Sequence, residues 1–317
     1  MLSWKTFPKP ILALAPMAGY TDSAFRQLVK SLAPQTIVFS EFVSSDALHF
    51  KSKKTQQMLA FSRKEQPFIA QIFGKNPPHF AEAARAVESL GAAGVDLNMG
   101  CPARKVVNSD HGSALLKNPK LASEIIEACV KAVKIPVSVK MRLGVADSRN
   151  LLDFSKMVEA SGAQLLTIHG RTAKQMYSGE ADFEPIYRVK KVLKIPILGN
   201  GDIDSAAKFH AKLGNLDGLM IGRAAVANPW LFREIENSLA GKISRTPKTL
   251  KAKLPTILKH ARLMVAVKGE RRGMLEMRKF LANYSKGEAG AKKLREKLVR
   301  VETLAEAEEL LRKFANR

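Results

Sequence analysis

Val95-Asp-Leu-Asn-Met-Gly-Cys-Pro-Ala-Arg-Lys-Val-Val-Asn-Ser-Asp-His-Gly-Ser113 is the stretch on which the reading of this chain turns. It sets one thiol, Cys101, in a Gly-Cys-Pro turn directly after a short apolar run. Asn98 lies three residues before the thiol, and Arg104 and Lys105 follow it. A loop at the carboxyl end of a buried strand is where barrels and open α/β sheets place their chemistry. A single cysteine is more often a core residue, because free Cys is among the most buried residue types. The remainder of the chain decides between the two.

Working outward, the same architecture recurs. Short apolar runs stand at 11–15, 36–40, 68–73, 94–98, 136–141, 164–168, 196–199 and 217–221, each bounded by Gly, Pro or polar residues. Helical patterns separate them at 23–32 (after a candidate N-cap, Asp22), 78–90, 119–133, 151–160, 184–193 and 205–213. Continuously apolar strands between helices imply a parallel sheet covered on both faces. Eight such units in about 230 residues predict a (β/α)8 TIM barrel. A doubly wound sheet fits less well, because no Gly-x-Gly-x-x-Gly follows the first run. Past Leu239-Ala-Gly241 the strand signals stop and basic helical sequence runs on, with an amphipathic stretch at 303–314. The expected organisation is a catalytic barrel over 1–241 and a smaller all-α domain over 242–317.

The 317 residues are 46% hydrophobic, enough for a substantial core, and carry a net charge of +23. Such a field favours polyanions. The excess is uneven: residues 242–317 hold 21 Lys and Arg against 8 Asp and Glu. A solvated helical face explains any one of these lysines but not the asymmetry. No apolar run is long enough for a membrane span. The run at 11–15 is too short for a signal-peptide core. Cys101 and Cys129 form no metal or disulfide spacing, and no metal site is expected. Cys129 lies in an apolar helical pattern and reads as core. A cytoplasmic monomer is the expectation.

In a barrel, functional groups collect at the carboxyl ends of the strands. Those positions hold Pro16 and Met17, Glu41, Gln71, Asn98 with Cys101, Lys140 with Arg142, His169 with Arg171, Asn200-Gly201-Asp202, and Gly222-Arg223. Together they argue for a large polar cofactor across the barrel mouth. The last two loops offer small residues, backbone N–H groups and a guanidinium, a phosphate site of the kind barrels build there. A cofactor with one phosphate whose ring reaches strands one, three and five fits FMN. Lys140 would then lie near the flavin edge that becomes negative on reduction.

These residues carry a resemblance. Asn98 through Ser113 matches the signature of the tRNA-dihydrouridine synthases at every constrained position. The likeness extends through Ala15-Pro-Met-Ala-Gly-Tyr-Thr-Asp22, Gln71-Ile-Phe-Gly74, Val139-Lys-Met-Arg-Leu-Gly144, His169-Gly-Arg-Thr172, Tyr177-Ser-Gly-Glu-Ala-Asp182, Asn200-Gly-Asp-Ile203, Met220-Ile-Gly-Arg-Ala224 and Asn228-Pro-Trp-Leu-Phe232. Met277-Arg-Lys-Phe-Leu-Ala-Asn-Tyr-Ser-Lys-Gly287 is similar to the family's helical RNA-binding domain. His111 departs from the pattern, which has a small residue before the Gly, and a loop-surface change with little effect on catalysis is expected.

The resemblance implies an enzyme that uses NADPH to reduce FMN, passes hydride to C6 of a D-loop uridine in tRNA, and protonates C5 from Cys101. It implies cofactor contacts from Pro16, Met17, Gln71, Lys140, His169, Asn200, Gly201, Asp202, Gly222 and Arg223. Base and RNA contacts would come from Asn98, Arg142, Arg171, Arg278, Lys279 and Lys286. The alternatives are an FMN barrel oxidoreductase acting on a free pyrimidine, in the manner of a dihydroorotate dehydrogenase, and an RNA-binding barrel without redox chemistry. The first has no use for the basic tail, and the second has none for Cys101, Lys140 and His169.

Overall fold

The computed structural model describes residues 2–288 and 290–316. Eight parallel strands close into a barrel: β1 Ile11–Leu14, β2 Ile37–Phe39, β3 Phe68–Phe73, β4 Gly94–Met99, β5 Val137–Arg142, β6 Leu165–His169, β7 Ile197–Asn200 and β8 Gly218–Ile221. A two-residue continuation of β2, Val43–Ser44, pairs with Ile72 and Phe73 at the end of β3. Closure comes from β1, which pairs with β2 on one side and β8 on the other. At that seam Gly218 lies so close to Ile11 that a Cβ would meet its carbonyl oxygen at 2.1 Å, so only glycine fits. Each of the eight apolar runs is a strand, as the sequence predicts, because side chains on both faces are buried.

The helices are α1 Ser23–Leu32, α2 Ser45–His49, α3 Lys53–Met58, α4 Pro77–Ser89, α5 Arg104–Val107, α6 Pro119–Ala132, α7 Leu151–Ala160, α8 Glu184–Val192, α9 Ala206–Leu213, α10 Arg223–Ala227, α11 Trp230–Leu239, α12 Leu250–Lys268, α13 Glu270–Tyr284, α14 Ala291–Leu298 and α15 Leu304–Ala315. Asp22 caps α1 as its sequence position suggests, accepting from the Phe25 N–H at 3.0 Å. The short helices α2, α3, α5 and α10 span about one turn each and carry no periodic signal in the sequence.

Alternate strand residues face the barrel interior. Its floor is apolar: Trp4, Ile11, Ala13, Ile37, Phe39, Ile69, Leu165 and Leu198 form one buried cluster. Towards the carboxyl ends the same inward faces turn polar. Register aligns Gln71 with Asp96 and Ser138, and, one layer up, Asn98 with Lys140 and Thr167. Above these, Arg142, His169 and Asn200 align in turn.

Contacts group the chain into two compact units. The first is 1–19 with 37–222, the barrel strands and most of their helices; the second is 20–36 with 223–317. Helix α1 belongs to the second because its Phe25 stacks on Phe280 of α13 at 5.3 Å and meets His260 of α12 at 5.5 Å. No helix among the described residues is long and apolar enough to cross a membrane.

Candidate active site

The Cys101 loop is held from below by a chain of buried side chains. Asn98 Oδ1 accepts from the backbone N–H groups of Gly100, at 3.1 Å, and Cys101, at 2.9 Å. Asn98 Nδ2 donates to Gln71 Oε1 at 2.8 Å, and Gln71 Nε2 donates to Asp96 Oδ2 at 2.6 Å. Ser138 Oγ completes the run, donating to Asp96 Oδ1 at 2.6 Å. The loop is also pinned from its far side. Gly112 has φ +61°, and a Cβ there would meet the Cys101 carbonyl oxygen at 2.8 Å. The Ser113 N–H donates to that same carbonyl at 3.1 Å. His111 stands edge-on to Phe73, 5.7 Å between centroids, on the rim of the barrel mouth.

Two arginines lock a second loop over this one. Arg142 Nε donates to the Gly100 carbonyl at 2.9 Å, and its Nη1 reaches the carbonyls of Thr172 and Met176. Arg171, buried, grips Asp202 through both Nη groups at 2.9 and 2.7 Å and the carbonyls of Ser178 and Gly179. The 172–182 segment is thereby fixed to the ends of β5, β6 and β7. Tyr177 projects from it half-exposed, its ring 5.5 Å from the Arg142 guanidinium carbon and 6.4 Å from His169.

Electrostatics separate the titratable groups. Burial, and then the neighbouring Arg142 cation, bring Lys140 down to about 8, against the pull of Asp96 and Cys101. Burial pushes Asp96 up to about 6, opposed by the hydrogen bonds from Gln71 and Ser138 and by Lys140. Burial also raises the Cys101 thiol, outweighing the Ala103 N–H and the Arg142 and Lys140 cations that favour the thiolate. The thiol is therefore protonated at neutral pH, yet the charges that would receive a thiolate stand beside it. That is the setting of a proton donor.

The structure brings together most of the residues singled out in the sequence. Gln71, Asn98, Cys101 and Arg142 form one hydrogen-bonded group. Lys140 Nζ donates to Asn200 Oδ1 at 3.1 Å, while Asn200 Nδ2 holds the Met220 carbonyl at 2.7 Å. Pro16 and Met17 are half-buried at the end of β1, and the space a Cβ would fill at Gly222 is bordered by Ala15 and by Met17 Sδ, both 3.7 Å away. The Asp202 carboxylate is occupied by Arg171 and the Ala181 N–H.

Within the second unit, Arg223 opens α10 and is exposed. Arg278 donates to the carbonyls of Val301 and Arg300, tying α13 to the start of α15. The Lys279 ammonium lies 4.9 Å over the Tyr20 ring, and Lys286 is exposed. Asp96, Ser138 and Thr167 stand in this network and barrel layer without having been singled out in the sequence, and Tyr177 was quoted there only within a motif.

The interior fits FMN. Thr167, buried and in register with Lys140, has a hydroxyl with no hydrogen-bond partner among the described residues. A polar barrel top over an apolar floor, with an orphaned hydroxyl and a half-buried lysine, suits a ring that is apolar on its faces and polar at its edge. No cluster of metal-ligating side chains occurs among the described residues.

Comparison with known proteins gives one consistent result. A sequence model described as "Dihydrouridine synthase (Dus)" matches residues 13–317. A "Probable tRNA-dihydrouridine synthase" of Rickettsia bellii is 42% identical over 280 residues, 87% of this chain and 86% of that protein. "tRNA-dihydrouridine synthase B" of Pseudomonas aeruginosa is 40% identical over 315 residues, 96% of this chain and 93% of that protein. Among solved structures, an old yellow enzyme homologue from Zymomonas mobilis superposes with a TM-score of 0.55 at 14% identity, covering 79% of this chain and 96% of its own. Morphinone reductase does so with a TM-score of 0.53 at 10% identity, covering 75% and 87%. At those identities the two structures share the fold alone.

Proposed function

This chain belongs to the dihydrouridine synthase family, and from that premise we propose that it reduces uridines of tRNA to 5,6-dihydrouridine with FMN as cofactor and NADPH as reductant. The observation that carries the reading is the Cys101 loop anchored by Asn98 and Arg142, with the half-buried Lys140 on the neighbouring strand in register with Asn98. FMN bound in the barrel mouth would supply the hydride for C6 of the uracil ring. Pro16, Met17, Gln71, Lys140, His169, Asn200, Gly201, Asp202 through its backbone, and Gly222 would hold it.

Cys101 gives its proton to C5, and the Asn98 contact fixes the thiol's backbone for that transfer. The thiolate left behind is stabilised by Lys140 and Arg142, both of which already interact with it electrostatically. Asn98, Arg142 and His169 supply donors for charge developing on the uracil O4 side. Arg171 positions the 172–182 loop through four hydrogen bonds to Ser178, Gly179 and Asp202. The target base must leave the tRNA stack to reach this depth.

We assign residues 1–241 to catalysis and 242–317 to holding tRNA through phosphate contacts and shape. Lys279 and Lys286 serve there, with Arg278 ordering the surface they stand on. The site of action is the cytoplasm. The test is dihydrouridine formation in unmodified tRNA by wild type and Cys101→Ala, with flavin content measured in both.

A further inference from the structure

The crossover between β2 and β3 carries a feature that the site does not use. Phe50 is 74% exposed, the most exposed aromatic ring among the described residues. It stands edge-on to His49, 4.8 Å between centroids, and to His79 at 6.1 Å. The two imidazoles stack at 3.9 Å with 15° between planes. Each is fixed by a carboxylate: His49 Nδ1 lies 2.6 Å from Glu82 and His79 Nδ1 2.6 Å from Asp46. Phe50 is therefore held against a rigid base and offered to solvent.

Its surroundings are cationic. Lys51 has φ +53° and turns the chain directly into the α3 N-terminus, so that Lys51, Lys53 and Lys54 all follow the ring within four residues. All three are exposed, and none has a carboxylate partner among the described residues. Between Asp46 and Glu65 the sequence has five Lys or Arg and no acid. A large exposed ring with adjacent free cations matches what unpaired nucleotides require: a stacking face for a base and ammonium groups for the flanking phosphates. An acidic peptide would meet the charge but has less use for a flat ring.

The platform shares the barrel rim with Cys101. Helix α2 starts directly after Ser44, which pairs with Phe73. His111, on the Cys101 loop, stands edge-on to that same Phe73, and Lys75 reaches Asp110 of the loop at 3.3 Å. We propose that Phe50 with Lys51, Lys53 and Lys54 is a nucleic-acid contact on the first unit, Phe50 stacking on an unpaired base of the tRNA substrate and the lysines taking its neighbouring phosphates. The inference rests on tRNA being the substrate.

The experiment measures the equilibrium Kd of the full-length protein for one unmodified tRNA transcript across a salt series. Wild type is compared with Phe50→Ala, Phe50→Trp and the triple Lys51→Glu, Lys53→Glu, Lys54→Glu. These side chains are exposed, so thermal melting serves as the control for folding. Phe50→Ala should weaken binding about tenfold with an unchanged salt slope, and Phe50→Trp should restore it. The triple variant should reduce the slope of log K against log[salt] by about 2.

Wild-type Kd and slope in all the variants, alongside dihydrouridine formation by the wild type, would overturn the contact and leave the ring to a protein partner. A Phe50-dependent Kd in a protein that makes no dihydrouridine would support the contact and sink the functional reading instead.

Discussion

The backbone N–H of Cys101 lies 2.9 Å from Oδ1 of Asn98, three residues earlier on the strand that delivers it. The same oxygen takes the Gly100 N–H, and the amide nitrogen holds Gln71. One side chain thus fixes the thiol's backbone and links it to a buried network across β3, β4 and β5.

Asn98→Ala should therefore harm both folding and turnover. It leaves two loop N–H groups and the Gln71 carbonyl oxygen without their partner, which costs about 1–3 kcal/mol. Urea unfolding should show that loss, and dihydrouridine formation should fall by more than flavin content. An Asn98→Ala protein as active as wild type would remove the anchoring role.

Cys101→Ala should keep flavin and NADPH oxidation while product formation drops by about 10²–10⁴, the usual worth of a general acid. Cys101→Ser should stay low as well, because a hydroxyl is a far weaker acid. Mass spectrometry of tRNA nucleosides is the readout, and equal yields would exclude the thiol as proton donor.

Asp96 makes stability depend on pH in a specific direction. Its carboxyl is raised to about 6 in the fold, above its ordinary value of 3.8. Between those values the native state holds a proton that the unfolded chain has released, so stability falls as pH rises through that window. Asp96→Asn removes the charge and keeps the shape. The pH 4.5 to 7 decline in unfolding free energy should flatten by on the order of 2 kcal/mol. Parallel curves for the two proteins would contradict the buried, raised carboxyl.

Arg171→Met should unfasten the 172–182 loop. Its hydrogen bonds to the Ser178 and Gly179 carbonyls and to the Asp202 carboxylate vanish. The expected cost is about 1–3 kcal/mol, since loop carbonyls and the half-buried Asp202 carboxylate lose their donor. Trypsin should then cut at the exposed Lys174 faster than in wild type. Unchanged cleavage would show that the loop is held by other means.

The barrel was legible because its signal repeats: eight apolar runs bounded by breakers admit few other folds. The strand-end positions of Cys101, Lys140 and His169 were legible because polar groups stand out at the ends of apolar strands. Asp96 and Ser138 were overlooked although each lies two residues before a recognised site residue, and so on the same inward face. A reading of strand parity would have found them.

The work of Arg171 and Arg278 was hidden for a different reason. Their partners include backbone carbonyls of loops, which leave no trace in residue identity. The packing of α1 was hidden too. Phe25 announces an apolar helix face, but not that its partners, His260 and Phe280, lie far along the chain. The His49–His79 stack depends on two segments meeting at the rim, which spacing alone does not reveal.

Saturation of tRNA uridines by this chain is directly measurable. Unmodified tRNA incubated with the purified protein, FMN and NADPH, then digested and mapped by mass spectrometry, tests it most directly. A gain of about 2 Da on a uridine of the D-loop is expected, the mass of the hydride and proton added across C5=C6. Bound flavin and consumed NADPH with no such gain in any tRNA fragment would contradict it.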